Sequence, residues 1–224
     1  LYAPAVDPVN VRRQIGMELA KESHVEADLV VPVPDSGVPA AIGYAQQSGI
    51  PFELGIIRSH YVGRTFIQPS DGARHADVKR KHNANRALVE GKRIVLIDDS
   101  IVRGTTSLKI VQMMRDAGAK EVHFRVASPP TGYSCFYGVD TPERDKLLAA
   151  RMDVGAMAEF IHADSLGFVS IDGLYRAVGE AGRNNACPSH CDACFTGDYP
   201  TRLTDFAEAG GDCGQLSLHV DKVA

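Results

Sequence analysis

The sequence predicts an α/β fold with a mostly parallel central sheet flanked by helices. Three observations predict it. Residues 28–31, where Asp28 leads into Leu29-Val30-Val31, and the unbroken apolar run 94–97 read as short strands of the kind buried on both faces. Between and after them, apolar residues recur at helical period, for example Ile110, Met113, Met114 and Ala117. Gly and Pro punctuate the switches between the two patterns, giving the βαβα order of a parallel sheet.

Each element can be justified from its residues. Asp7-Pro8 reads as the cap and first position of a helix carrying Val11, Ile15 and Leu19 on one face. A turn over 32–37 leads to a second helix, opened by Pro39 and stopped near Gly49. Residues 52–57 read as a strand. The stretch 58–83 has no clear period, many charges and several Gly, which predicts a long mobile loop, either a functional lid or disordered. Strand 94–97, the helix closed by Gly118 and an alternating strand over 121–127 complete the regular part. From about residue 141 the signals change to two helices, one marked by Val154, Met157, Ala158 and Ile161, the other by Ile171, Leu174 and Val178. A Gly-, Asn- and Cys-rich tail comes last. The expected division is a core over 1–150 and a helical, Cys-containing extension over 151–224.

Composition bounds the function. The chain has 224 residues, 44% hydrophobic and 23% charged, enough to bury a core. Its net charge of −4 argues against nucleic acid as a partner. No run reaches the length of a membrane span, so no membrane partner is expected. Five Cys, an odd number in a long chain, do not suggest a secreted disulfide framework, and a cytoplasmic location fits. The first residue is Leu1 and not Met, which suggests a processed product or an excised piece of something longer.

The chemical centre is 94–107, where Asp98 and Asp99 come directly after four apolar residues. Two adjacent carboxylates at the end of a buried strand are costly unless solvated, hydrogen-bonded or matched by a cation. In open α/β sheets, ligands bind at that strand end. Ser100, Arg103, Gly104, Thr105 and Thr106 then lead into a helix start, where backbone N–H groups and the helix dipole suit a phosphate. Acids beside a phosphate cradle fit a ligand carrying both hydroxyls and a phosphate. A plain capped turn would explain one Asp and the Gly, but not the whole run. The earlier turn Pro34-Asp35-Ser36-Gly37 suits an anion too, and reads equally as a capped turn.

The segment DDSIVRGTT at 98–106 resembles the 5-phosphoribosyl-1-pyrophosphate (PRPP) signature of the type I phosphoribosyltransferases. The wider context is similar to the amidophosphoribosyltransferase family within them. It includes VPVPDSG at 31–37, YVGRTFIQP at 61–69, SPP and CFYGVDTP within 128–142, and CDACFTGDYPT at 191–201. The resemblance implies the type I phosphoribosyltransferase fold, with Pro34, Asp35, Ser36 and Gly37 as a pyrophosphate loop. It implies Mg²⁺ held by Ser36, Asp98 and Asp99, directly or through water, which agrees with the ion's preference for oxygen ligands and substrate phosphates. The charged loop, read alone, is a solvated run. The resemblance makes it a lid that brings Arg64, Lys79 and Lys81 to the pyrophosphate as catalytic groups. Lys81-His82-Asn83 departs from relatives that have an apolar residue between Lys and Asn.

The reaction implied is attack by ammonia on C1 of PRPP, giving 5-phosphoribosylamine and pyrophosphate, the first step of purine biosynthesis. Purine nucleoside monophosphates are implied as feedback inhibitors, and a homo-oligomer as the assembly. Family members begin with a glutaminase domain whose N-terminal Cys is the nucleophile. No Cys precedes position 135 here, so that domain is read as absent and glutamine hydrolysis is not expected. The competing reading is a non-catalytic PRPP- or nucleotide-sensing regulator on the same fold. A salvage enzyme acting on a base would need a base-binding hood, and the 128–142 match points elsewhere.

The cysteines leave more open. Cys191-x-x-Cys194 can chelate one metal centre. By spacing alone it reads equally as surface thiols or as a zinc site completed by Cys187 or His190. The resemblance implies a four-iron, four-sulfur cluster with Cys135, Cys191 and Cys194 as ligands and the fourth upstream of Leu1. Cys187 is then a bystander or substitute ligand, and Cys213 has no assigned role.

Overall fold

The computed structural model describes residues 7–58, 82–201 and 203. Its centre is a four-stranded parallel sheet in the order β1-β4-β5-β6, with β1 at Leu29–Pro32, β4 at Arg93–Asp98, β5 at Glu121–Val126 and β6 at Ser165–Phe168. A separate antiparallel pair joins β2 (Ile56–Arg58) to β3 (His82–Ala84).

Helices cover both faces of the sheet, as the sequence predicts. On one side α1 (Pro8–Glu22), α2 (Val38–Ser48) and α7 (Ile171–Ala177) pack against Val30, Val95 and Ile97. On the other, α3 (Arg86–Val89), α4 (Thr105–Asp116), α5 (Leu148–Arg151) and α6 (Val154–Phe160) cover Val31, Ile94, Leu96 and Phe124. Burial on alternate faces explains why 94–97 has no polar break: all four residues are fully buried. Among the described residues no helix is long and apolar enough to cross a membrane.

The helix ends obey their local chemistry. Asp7 caps α1, its carboxylate accepting from the Val9 N–H at 3.0 Å, with Pro8 in the first turn. Gly49 ends α2 at φ +76°, the left-handed region that glycine tolerates. The apolar stripe of α1 is less decisive than its spacing suggests. Leu19 is fully buried, Val11 and Ile15 only partly, and the closest approach is made by glycines. A Cβ on Gly16 would lie 1.9 Å from the Ala40 carbonyl oxygen, and one on Gly43 would lie 1.9 Å from that of Arg13. The two helices cross backbone to backbone.

Two strands differ from expectation. The strand read over 52–57 is displaced: Phe52 makes only an isolated parallel bridge to Val30, and the ladder begins at Ile56. Of the loop expected over 58–83, Arg58, His82 and Asn83 lie instead in the β2–β3 ladder, and 59–81 lies outside the described residues. β6 is not expected from the sequence, and it extends the parallel sheet from within the segment read as helical. A short 3₁₀ turn (Arg144–Lys146) precedes α5, and α8 (Ala193–Thr196) closes the described chain.

Candidate active site at the carboxyl edge of the sheet

Strands β1 and β4 run parallel in register, so both release their loops at the same edge. After β1, the Val33 N–H donates to the Ile97 carbonyl at 2.8 Å, holding the next turn against the end of β4. Gly37 completes the contact. A Cβ there would lie 2.4 Å from the Ile97 oxygen and 2.8 Å from that of Val33, so only glycine lets the turn press onto the strand. The turn Pro34-Asp35-Ser36-Gly37 and the carboxylates beginning at Asp98 are thereby brought together. The Pro34–Asp35 peptide bond is cis, and Asp35, exposed, pairs with Arg58 at the end of β2.

Asp98 is 7% exposed and belongs to the buried end of β4. Burial pushes its carboxyl up to about 7, with the neighbouring Asp99 charge adding in the same direction. The Asp99 N–H donates to Asp98 Oδ1 at 2.9 Å and favours the ionised form only partly. Asp99 is half-buried and accepts from Ser100 Oγ at 3.2 Å. Two adjacent acids, one of them buried, suit a divalent ion. These acids offer oxygen donors, as would Ser36 on the turn held against the end of β4, and Mg²⁺ commonly needs only one or two carboxylates beside waters and substrate phosphates. The residues fit the ion.

Beyond the acids, Gly104 turns the chain at φ +75° into the N-terminus of α4. Among the described residues no side chain caps that helix end, and its first turn contains no acid. Thr105 and Thr106 are exposed there, as is Arg103, while Ser107 is buried. An uncapped helix N-terminus with two exposed threonines suits an anion. The turn is supported from behind by residues that sequence reasoning does not single out. A Cβ on Gly104 would meet Leu148 Cδ2 at 2.6 Å and Phe160 Cε1 at 3.0 Å. Nothing in the local pattern links 104 to 148 or 160. Arg58 also escapes the sequence reading, because it stands at the edge of a charged stretch with no period.

Arg64, Lys79 and Lys81, expected as lid groups, lie outside the described residues. The cysteine expectations lie mostly inside. The Gly132 and Tyr133 N–H groups both donate to the Cys194 carbonyl at 3.1 Å, joining the 132–135 loop to α8. Cys135 Sγ accepts from the Tyr137 N–H at 3.4 Å. Burial first, then the nearby Cys135 and Cys191 thiols, push the Cys194 thiol up. Cys135 and Cys191 thus lie near enough to act on the Cys194 thiol. Among the described residues no group of three or more His, Cys, Asp or Glu is placed to hold a metal ion. Cys187 is exposed, and Cys213 lies outside the described residues.

The family model of the phosphoribosyl transferase domain matches residues 10–129 of the sequence, a span that holds both the 34–37 turn and the Gly104 turn. The chain belongs to that family. Within it, the chain is 68% identical over 195 residues to an amidophosphoribosyltransferase of Rhizobium etli, covering 87% of this chain and 39% of that protein. A solved structure of the glutamine PRPP amidotransferase of Bacillus subtilis, complexed with ADP and GMP, superposes with a TM-score of 0.78 at 51% identity, covering 87% of this chain and 43% of that one. A second, described as the allosteric regulatory enzyme of purine biosynthesis, gives a TM-score of 0.80 at 50% identity over 90% of this chain and 43% of that one. The chain thus spans about two fifths of the relatives it matches.

Proposed function

We propose that the chain transfers the phosphoribosyl group of PRPP to ammonia, giving 5-phosphoribosylamine and pyrophosphate at the start of purine biosynthesis. The observation that supports this most is the seating of Gly37 on the Ile97 carbonyl, which sets an anion turn opposite the Asp98–Asp99 pair. Residues 1–150 form the PRPP core in this reading, and 151–224 support it.

The positions of the residues support these roles in the reading. Asp98 and Asp99 accept hydrogen bonds from the two ribose hydroxyls, and Ser100 orients Asp99. The start of α4, with Gly104, Thr105 and Thr106, receives the 5′-phosphate, and Arg103 adds a cation beside it. Pro34, Asp35, Ser36 and Gly37 receive the pyrophosphate. The lone pair of ammonia attacks C1, the C1–oxygen bond breaks, and pyrophosphate leaves with the bonding electrons. The new ammonium loses a proton to solvent. Ser36, Asp98 and Asp99 would hold Mg²⁺, which would supply positive charge for the departing pyrophosphate. Arg64, Lys79 and Lys81 are assigned to the same leaving group from the lid, and lid closure excludes water that would otherwise capture the ribosyl cation. No protein nucleophile is required, since positioning and electrostatics suffice.

Ammonia comes from a glutaminase domain in the longer protein, and the assembly is a cytoplasmic homo-oligomer. The nucleotides in the B. subtilis structure suggest control of this chain by purine nucleoside monophosphates, which would compete for the 5′-phosphate loop. Cys135, Cys191 and Cys194 are assigned to an iron–sulfur centre whose fourth ligand lies elsewhere in the longer protein.

Pyrophosphate release with PRPP and Mg²⁺ tests the reading. It is expected with ammonium, rising with pH as free ammonia increases, and not with glutamine alone. A folded chain that binds PRPP yet releases no pyrophosphate with ammonia would overturn the enzyme reading in favour of a PRPP sensor. Glutamine-driven release would overturn the assignment of ammonia production to a separate domain.

A further inference from the structure

The Cys191–Cys194 turn is built around a carboxylate. Asp192, between the two thiols, is 5% exposed and engaged from three directions. Arg183 clamps it in bidentate fashion, Nε to Oδ2 at 2.6 Å and Nη2 to Oδ1 at 3.2 Å. The Tyr175 hydroxyl from α7 donates to Oδ2 at 3.0 Å. Thr196 Oγ1 donates to Oδ1 at 3.2 Å, so the same carboxylate ties down the end of α8. The Asp192 carbonyl also accepts the Phe195 and Thr196 N–H groups at 2.9 and 3.1 Å, which shapes the turn between the thiols. Arg183 further holds Asp198 at 2.9 Å. Tyr175 belongs to α7, which packs on the sheet through Leu174. The chain of contacts therefore runs from the sheet to the turn that carries the thiols.

We infer that Asp192 is the positioning residue of the cysteine turn, holding Cys194 against the Cys135 loop whether or not a metal centre is bound. A bidentate guanidinium–carboxylate pair out of water is rigid when its remaining lone pairs are satisfied, and here they are. The sulfur-bound centres of many small domains work the other way, with the metal supplying the folding energy. Here Arg183, Tyr175 and Thr196 already hold the carboxylate at the centre of the turn, so Cys194 is expected to stay held when a metal is removed. The inference concerns the metal-free state, and it holds or fails independently of which metal the thiols take.

The test is site-resolved alkylation of the reduced, chelator-treated protein, read by peptide mass spectrometry. Cys194, half-buried and held, is compared with exposed Cys187 in the same molecule. In the unaltered protein Cys194 is expected to react at least about tenfold more slowly than Cys187, as for a site reached only through local opening. D192A should bring the two rates within a factor of about three, with unchanged thermal unfolding of the sheet and unchanged PRPP binding. D192N, which keeps the shape and removes the charge, should fall between them. If D192A disturbs the whole fold, D192N and T196V carry the comparison. Equal rates for Cys194 and Cys187 in the unaltered metal-free protein would overturn the inference, as would full protection of Cys194 in D192A.

Discussion

Leu148 closes the back of the turn made at Gly104: its N–H donates to the Val102 carbonyl at 2.8 Å, and its Cδ2 stands 2.6 Å from where a Gly104 Cβ would be. The turn into α4 is thus shaped by a residue 44 positions away in sequence. G104A would force an L residue to φ +75° and press a methyl into Leu148 and Phe160. Left-handed strain of about 1 kcal/mol and overpacking of about 1–3 kcal/mol are the expected costs. Urea unfolding should show that loss of stability, and a PRPP titration of the folded protein should show at least about tenfold weaker binding, since the loop cannot keep its form.

The crossing of α1 and α2 gives a second prediction, free of the active site. G16A or G43A puts a methyl within 1.9 Å of a facing backbone carbonyl oxygen, which no rotamer change can relieve. Each is expected to destabilise the fold by about 2–4 kcal/mol, the range of severe core overpacking. The midpoint of urea denaturation should fall accordingly, while the PRPP affinity of the remaining folded molecules stays the same.

Acid stability depends on a pair at the start of the sheet. Asp28 accepts from the Arg93 backbone N–H at 2.8 Å and from its guanidinium at 3.0 Å, and Arg93 holds its carboxyl down at about 2. A carboxyl lowered on folding stabilises the native state above its unfolded value and loses that contribution as pH falls through the folded value. The window therefore runs from about pH 4 down to about pH 2. Both side chains are about a third exposed, so solvent screening keeps the effect small. Across that window the unaltered protein should lose stability more steeply than D28N, by thermal unfolding. A steeper slope in D28N would contradict the role given to the pair.

The site and the fold were unequally legible in the sequence. Strand β4 and its loop could be read directly, because a strand buried on both faces tolerates no polar residue until it ends, and the residues just past that end face the ligand edge of the sheet. Asp98, Asp99 and the Gly104 turn stand out for that reason. β6 could not be read: Ser165–Phe168 alternates weakly and contains Gly167, and its place is fixed by pairing with β5. Asp164, just before it, accepts the Val122 N–H at 2.6 Å from 42 residues away. Arg125 and His123 look like the polar face of a half-exposed strand, yet both are buried. Arg125 donates to the Ser23 carbonyl at 2.8 Å and to Ser165 Oγ at 3.0 Å, and His123 Nδ1 contacts that same hydroxyl at 2.9 Å. Gly16 and Gly43 lower helix propensity when read alone, and their reason is visible only where α1 meets α2. Local chemistry announces itself in sequence, whereas contacts closed over long separations do not.

The central claim is that Asp98 and Asp99 bind the ribose of PRPP. It is tested most directly by calorimetric titration of PRPP, in the presence of Mg²⁺, into the unaltered protein and the D98N/D99N variant. Thermal unfolding of both confirms that the fold is kept. Hydrogen bonds to a charged acceptor contribute about 1.5–3 kcal/mol each, so the variant should bind PRPP at least about tenfold more weakly. Equal affinity in a folded variant would contradict the claim and place the ligand elsewhere.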